Sequence, residues 1–241
     1  MKVELLSYTP NPELLVAAAA RTCYSKKPGS QIIKKITTKK ASKLIKKLVK
    51  IGHHSILEHA SFTFSIEGVS RACTHQLVRH RIASYSQQSQ RYVSLENANF
   101  VVPLTIKKDQ KAREIFDRII EEARDAYRKL LELGVPEEDA RYVVPQAVQT
   151  NIVVTMNARE LLHFFKLRCC MRAQWEIRAL AWKMLSLVKK VAPTIFENAG
   201  PPCISEGMCP EEEFPCKLRE MLKRGGKIGN TDKTNNSHNR T

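Results

Sequence analysis

The sequence predicts an α+β fold. Two observations carry this. Segments with strand-like alternation are few and short, and segments with helical apolar spacing are long. The strand patterns lie at 60–67 and 151–155, and the longest helical ones at 108–133 and 172–191.

Taken in order, Asn11-Pro12 opens a helix with proline in its first turn, and alanine-rich sequence carries it from Glu13 to Arg21. Pro28-Gly29-Ser30 marks 25–31 as a loop. Leu44, Ile45, Leu48 and Val49 predict a helix over 42–51, ended by Gly52. Phe62, Phe64 and Ile66 alternate, so 60–67 reads as a strand ending at Gly68. A helix over 70–80 follows, then a polar, β-tolerant stretch over 83–94 with a turn inside it.

Over 108–133, Ala112, Phe116, Ile119, Ile120, Ala123, Tyr127, Leu130 and Leu131 form one apolar stripe. Glu114–Arg118 and Asp125–Lys129 are supporting pairs on its wet face, and Gly134 closes it. A short helix follows Pro136, and Asn151–Thr155 reads as a strand. Asn157 with Glu160 is a capping-box pattern for a helix to about Leu167. A long, largely buried helix over 172–191 stops before Pro193. From Gly225 to Thr241 the chain is polar and expected to be disordered.

Composition narrows the function. The 241 residues are 43% hydrophobic, which excludes fibrous and wholly disordered classes. No apolar run is long enough for a spanning helix, and the first residues do not read as a secretory signal. Seven cysteines and no signal point to a reduced cytoplasm.

The net charge of +16 is uneven. Residues 26–50 hold ten lysines and no acid, which reads as a solvated helix face. Arg71–Tyr92 holds four arginines, two histidines and no acid. Clustered guanidiniums need anions, and two sources stay open: acids from elsewhere in the fold, or a bound ligand such as a phosphate. On a helix ending near His80, Gln76, Arg79 and His80 share a face, with Arg81 following. Arg159 and His163 stand at i, i+4 on the helix capped by Asn157, with Arg168 at its end and Arg141 earlier in the chain. That helix's N-terminus suits a phosphate or a carbonyl oxygen.

His53, His54, Glu58 and His59 lack zinc-protease spacing, so no metal is expected there. Cys203, Cys209 and Cys216 are spaced more loosely than a zinc ribbon. The Cys169-Cys170 pair could add a fourth thiolate, but the spacing favours free buried thiols. No Gly-rich phosphate loop is present, so side chains and helix ends would hold any dinucleotide.

Arg79-His80-Arg81, then seven residues, then Ser89, resembles the signature of the flavin-dependent thymidylate synthases. GHHSILEHASFTF at 52–64, DARYVVP at 139–145, MNARELLHFFKLR at 156–168 and AQWEIR at 173–178 resemble that family's other blocks, in order. The resemblance implies a mixed or antiparallel sheet flanked by long helices, the thymidylate synthase-complementing type, in a single domain at 1–200. A Cys-containing extension at 201–224 and a polar tail at 225–241 lie outside it.

The resemblance implies conversion of dUMP to dTMP, with methylenetetrahydrofolate as carbon donor, FAD as hydride carrier and NADPH as reductant. It implies a cytoplasmic homotetramer with sites where subunits meet, and no nucleic-acid or membrane partner. Residue by residue, Arg168 would hold the uracil ring, with His53 beside flavin and folate and Ser89 near the ring. Ser55, Arg79, His80, Arg81, Gln87, Asn157, Arg159 and His163 would bind FAD. Gln76, Arg79, Gln87, Gln88, Ser89, Gln90, Arg91, Arg141 and Arg168 would bind dUMP. Gln87 stands where many relatives have Glu, and His163 where some have Asn.

Overall fold

The structure, a computed structural model, describes residues 1–210 together with 216, 218 and 220. The expected disorder of 225–241 therefore lies outside the described residues.

The chain begins with strand β1 (Lys2–Tyr8), which the sequence reading passed over. Val3 and Leu5 alternate, but a register shift between Leu5 and Ser7 breaks the pattern and leaves Leu6 exposed. Helix α1 (Pro12–Thr22) follows as expected. The loop expected at 25–31 is shorter, because Gly29 already opens α2 (Gly29–Lys35) behind Pro28. Helix α3 (Thr38–Lys50) starts before 42, where the Thr37 hydroxyl accepts from Lys40 N. It buries Ala41 and Ile45 and leaves its lysines to solvent.

Strand β2 (Ser61–Ser70) does not stop at Gly68. Gly68 takes φ +67° where the pairing shifts between Ile66 and Val69, so the strand passes through a bulge that a side chain would strain. Helix α4 (Arg71–Leu77) is shorter than expected. Strand β3 (Ala83–Gln87) follows.

The helix expected over 108–133 is present over Gln110–Glu132, opened by Asp109. Its carboxylate accepts from Ala112 N at 3.0 Å, separating α5 (Leu104–Lys108) from α6 (Gln110–Glu132). Of the apolar stripe on α6, Ile120 and Tyr127 are buried while Ile119 is exposed. The expected charge pairs are replaced by Arg113–Asp117, Arg118–Glu122 and Arg128–Asp125, and Glu114 accepts from Gln110 instead. These neighbours are equally close on a helix surface, so spacing alone cannot choose among them.

After the short α7 (Glu137–Ala140), strand β4 (Gln149–Asn157) is longer at both ends than expected. Helix α8 (Ala158–Arg168) starts where the Asn157 side-chain Oδ1 accepts from Glu160 N. Helix α9 (Trp175–Val191) starts later than 172, because Gln174 caps it through Glu176 N and Ile177 N.

The four strands form one antiparallel sheet in the order β1-β2-β4-β3. Phe62, Phe64 and Ile66 pair with Met156, Val154 and Ile152, and all six are buried. They form the core with Leu161, Phe164 and Phe165 of α8 and Ile177, Leu180, Met184 and Val188 of α9. The opposite face is polar: Thr63 and Thr155 hydrogen-bond across it at 2.9 Å, and Val153 is exposed. The α+β reading therefore holds, with helices on one face of an antiparallel sheet.

Candidate active site

The site is built where the α4–β3 turn meets α8. Helix α4 ends at Leu77, so Gln76, Arg79 and His80 do not share the helix face expected of them. The turn separates them instead: Arg79 and Arg81 face solvent, while His80 between them is buried. Tyr85 of β3 clamps the turn, its hydroxyl reaching the carbonyls of Leu77 at 2.9 Å and His80 at 2.7 Å.

On α8, Glu160, His163 and Arg168 project toward that turn. His80 Nδ1 lies 3.1 Å from Glu160 Oε1, and Arg168 Nε donates to His80 Nε2 at 3.1 Å. The His80 ring meets Phe164 edge-on at 4.9 Å and His163 at 5.7 Å. Burial first, then the charges of Arg168 and His163, pushes His80 down to about 4. His80 is thus neutral near pH 7, and its contact with Glu160 is a hydrogen bond to a carboxylate rather than an ion pair. Burial raises Glu160, opposed by His163. It also lowers Arg168, though a guanidinium stays charged. His80, Glu160 and His163 hold ligand atoms within 4.8 Å of one another. Both ring nitrogens of His80 are already engaged, so an ion there would have to displace Glu160 or Arg168.

Beside this chain of contacts opens a cavity of about 1090 Å³, at the large end for a ligand site. Asn157, Arg159 and His163 line it, as do Lys46, Lys50 and Lys166, with an apolar wall that includes Val49, Leu57, Leu162 and Ile195. Three of its cations meet acids of the chain: Arg159 with Glu58, Lys46 with Glu197 and Lys166 with Glu206. All three pairs are about half exposed, so each adds little stability and yields readily to a competing anion.

The other expected residues lie elsewhere. His53 and Ser55 are exposed around the 3-10 turn Ser55–His59. His54 reaches the Val49 carbonyl at 3.2 Å, and none of His53, His54, Glu58 or His59 joins a metal-ready set among the described residues. Gln87 points inward, its amide donating to Thr74 Oγ1 at 3.0 Å and Thr150 Oγ1 at 3.3 Å. Gln88 accepts from Asn151 through its side chain, and Ser89 Oγ accepts from Arg91 N at 3.1 Å. Gln76 and Gln90 are half-buried.

Arg91 and Arg141 share Glu138, whose carboxylate accepts from Arg91 Nε at 2.7 Å and whose carbonyl accepts from Arg141 Nε at 2.9 Å. No hydrogen bond joins this pair to Arg168 or His80 among the described residues. The arginine cluster therefore divides. Arg91 and Arg159 have carboxylate partners from elsewhere in the chain, while Arg79 and Arg81 have none among the described residues.

Sequence reasoning missed Glu160, Glu58 and Glu138 as partners in the site. Glu160 was visible only as the third residue of a capping box. Its carboxylate reaches His80, 80 positions away, instead of turning back to the cap.

A neutral buried histidine joining a guanidinium to a carboxylate thus lies beside a cavity lined by several cationic side chains. Residues 4–194 match the family model described as thymidylate synthase complementing protein. The chain belongs to that family. It is 55% identical over 226 residues to the flavin-dependent thymidylate synthase of Geobacter sulfurreducens, covering 93% of this chain and 97% of the relative. It is 50% identical over 240 residues to the protein of that name from Clostridium tetani, covering 92% and 96%. It is 46% identical over 238 residues to that from Pyrococcus furiosus, covering 95% and 98%.

Proposed function

We propose that this chain is a flavin-dependent thymidylate synthase. It methylates dUMP to dTMP with 5,10-methylenetetrahydrofolate as carbon donor, FAD as hydride carrier and NADPH as reductant. The observation that carries the reading is the hydrogen bond from Arg168 to His80. It joins the two blocks, 88 positions apart, on which the resemblance to these enzymes is densest.

The cavity's chemistry fits FAD: cationic side chains and the first turn of α8 suit a pyrophosphate, and the apolar wall suits a flat ring. Asn157, Arg159 and His163 would hold it there, with Ser55, Arg79, His80, Arg81 and Gln87 completing the set. When bound, FAD supplies hydride chemistry that no side chain can.

The chain's own residues bind, orient and polarise. Arg168 places a guanidinium against the pyrimidine and favours ionisation at its N3. Arg91 and Arg141 take the phosphate, exchanging Glu138 for it, while Gln76, Gln88, Ser89 and Gln90 position the nucleoside. His53 stands by the ring and the folate. No cysteine lies within 79–92, and among the described residues the hydrogen-bond partner of Ser89 Oγ is Arg91 N, which does not activate it as a nucleophile. Positioning and electrostatics therefore carry the residues' share of the work.

A homotetramer with sites between subunits completes the reading. Ile82, Tyr92 and Tyr142 adjoin Arg81, Arg91 and Arg141 and are 66, 76 and 82% exposed, which supports their being covered by another chain. The catalytic domain is 1–200, and the location is cytoplasmic. No helix among the described residues is long and apolar enough to cross a membrane.

The test is tritium release from dUMP labelled at C5, with methylenetetrahydrofolate, NADPH and FAD. Release that requires the folate and the flavin is expected. Its absence from protein that binds both FAD and dUMP would overturn the proposal.

A further inference from the structure

Helix α3 carries lysines at 39, 40, 43, 46, 47 and 50 and no acid. At about 100° per residue, Lys39, Lys43, Lys46 and Lys50 fall within about 60° of one another, a stripe about 16 Å long down one side of the helix. All four are exposed. The arrangement works against the helix itself. Lys39–Lys43 and Lys46–Lys50 are like charges at i, i+4, and Lys39 and Lys40 sit in the first turn, where the helix dipole disfavours cations. Among the described residues Lys46 meets Glu197 at 2.8 Å, while Lys39, Lys43 and Lys50 have no acid partner.

The stripe leads into the site. Its last two members, Lys46 and Lys50, line the large cavity together with Asn157, Arg159 and His163. Of the lysines and arginines lining that cavity, Lys46, Arg159 and Lys166 meet acids, which leaves Lys50 without one among the described residues. The same helix delivers His53, which the proposed function sets beside the folate. Gly52 turns the chain at φ +86°, and His53 N donates to the Leu48 carbonyl at 2.9 Å, so His53 is held against the last turn of α3. A row of cations thus runs outward from the cavity rim, starting next to the residue proposed to meet the folate.

We infer that Lys39, Lys43, Lys46 and Lys50 form a subsite for a chain of γ-linked glutamates extending from the folate's glutamyl end. The inference rests on the proposed function and deepens it by naming the form of folate preferred. The charges match. Each added glutamate leaves one free α-carboxylate, and lysines three or four positions apart stand about 5–6 Å from one another along the helix. The stripe is long enough for several glutamyl units at about 3.5 Å or more each. Lys46 is held by Glu197 in a half-exposed pair, which a carboxylate of the ligand replaces at little loss. A nucleic acid fits the stripe less well. Helices α2 and α3 hold no arginine and no aromatic side chain, so neither paired guanidinium–phosphate bonds nor base stacking is offered there.

The test compares tetrahydrofolate monoglutamate and pentaglutamate on the full chain loaded with FAD and dUMP, by equilibrium dialysis, and the KM of their methylene forms. Exposed ion pairs contribute up to a few-fold each, so the pentaglutamate should bind about 10-fold tighter or more at low salt, and lose that advantage as salt is raised. Lys39 and Lys43 do not line the cavity. The paired change Lys39→Gln, Lys43→Gln should therefore remove most of the advantage and leave monoglutamate binding and kcat as they were. The wild-type salt dependence stands even if the variant fails to fold. Equal affinity of the wild type for both forms, with normal turnover of the monoglutamate, would overturn the inference and leave the proposed function standing. Absence of folate binding altogether would overturn both. An advantage that survives the paired change, or an oligonucleotide bound through these lysines that the pentaglutamate fails to displace, would overturn the inference alone.

Discussion

Arg168 Nε donates to His80 Nε2 at 3.1 Å, and this contact decides the protonation of the histidine. A guanidinium has no acceptor, so Nε2 must carry a lone pair. The ring proton therefore sits on Nδ1, pointing at Glu160 Oε1. One carboxylate on α8 thus sets the tautomer that holds an arginine on the same helix.

Glu160 is accordingly a positioning residue. Glu160→Ala should lower kcat about 10- to 100-fold, the scale of one lost buried hydrogen bond, while the KM for dUMP changes little. Glu160→Gln keeps an acceptor for Nδ1–H and should recover most of the loss. Steady-state kinetics of the two variants check this, and equal loss in both would show that charge, not orientation, matters.

His80 makes stability depend on pH. Its pKa is about 4 folded against an ordinary 6.5, so the unfolded chain binds its proton first as pH falls. The stabilisation is complete above about pH 6.5 and is lost as pH falls toward 4. The His80 contribution should be about 2 kcal/mol smaller at pH 5 than at pH 7. Urea unfolding of wild type and His80→Asn at both values isolates it, because the variant lacks this part of the slope.

Arg168→Ala should abolish most turnover while leaving flavin bound, since Arg168 does not line the large cavity. Ser89→Ala should keep measurable activity. Tritium release with flavin fluorescence titration checks both. Full loss in Ser89→Ala with ligands still bound would revive a serine nucleophile.

Gln87→Glu should destabilise the fold by about 1–2 kcal/mol. The amide donates to both Thr74 and Thr150, and Thr74 already gives its hydroxyl proton to the Arg71 carbonyl. A carboxylate would leave its oxygen facing the Thr74 oxygen. Thermal melts of the two proteins measure the difference.

Glu138→Gln should lower the KM for dUMP severalfold with little change in stability, because the Arg91–Glu138 pair is about half exposed. An increase in KM would mean that Glu138 holds Arg91 in its working position.

The sequence by itself determined the helices with strong caps and periodic apolar faces, such as α8 behind Asn157 and α3 ended by Gly52. Capping and periodicity are local properties, readable within a few residues. It also carried the resemblance to the family, through ordered blocks spread over most of the chain. Only the tertiary structure decided that β1 joins the sheet and that His80 turns inward between two outward arginines. It alone decided that Glu58, Glu138 and Glu160 answer Arg159, Arg91 and His80. The physical reason is distance along the chain. These partners are 47 to 101 positions apart, and no local pattern encodes a contact that exists only once the chain has folded around the sheet.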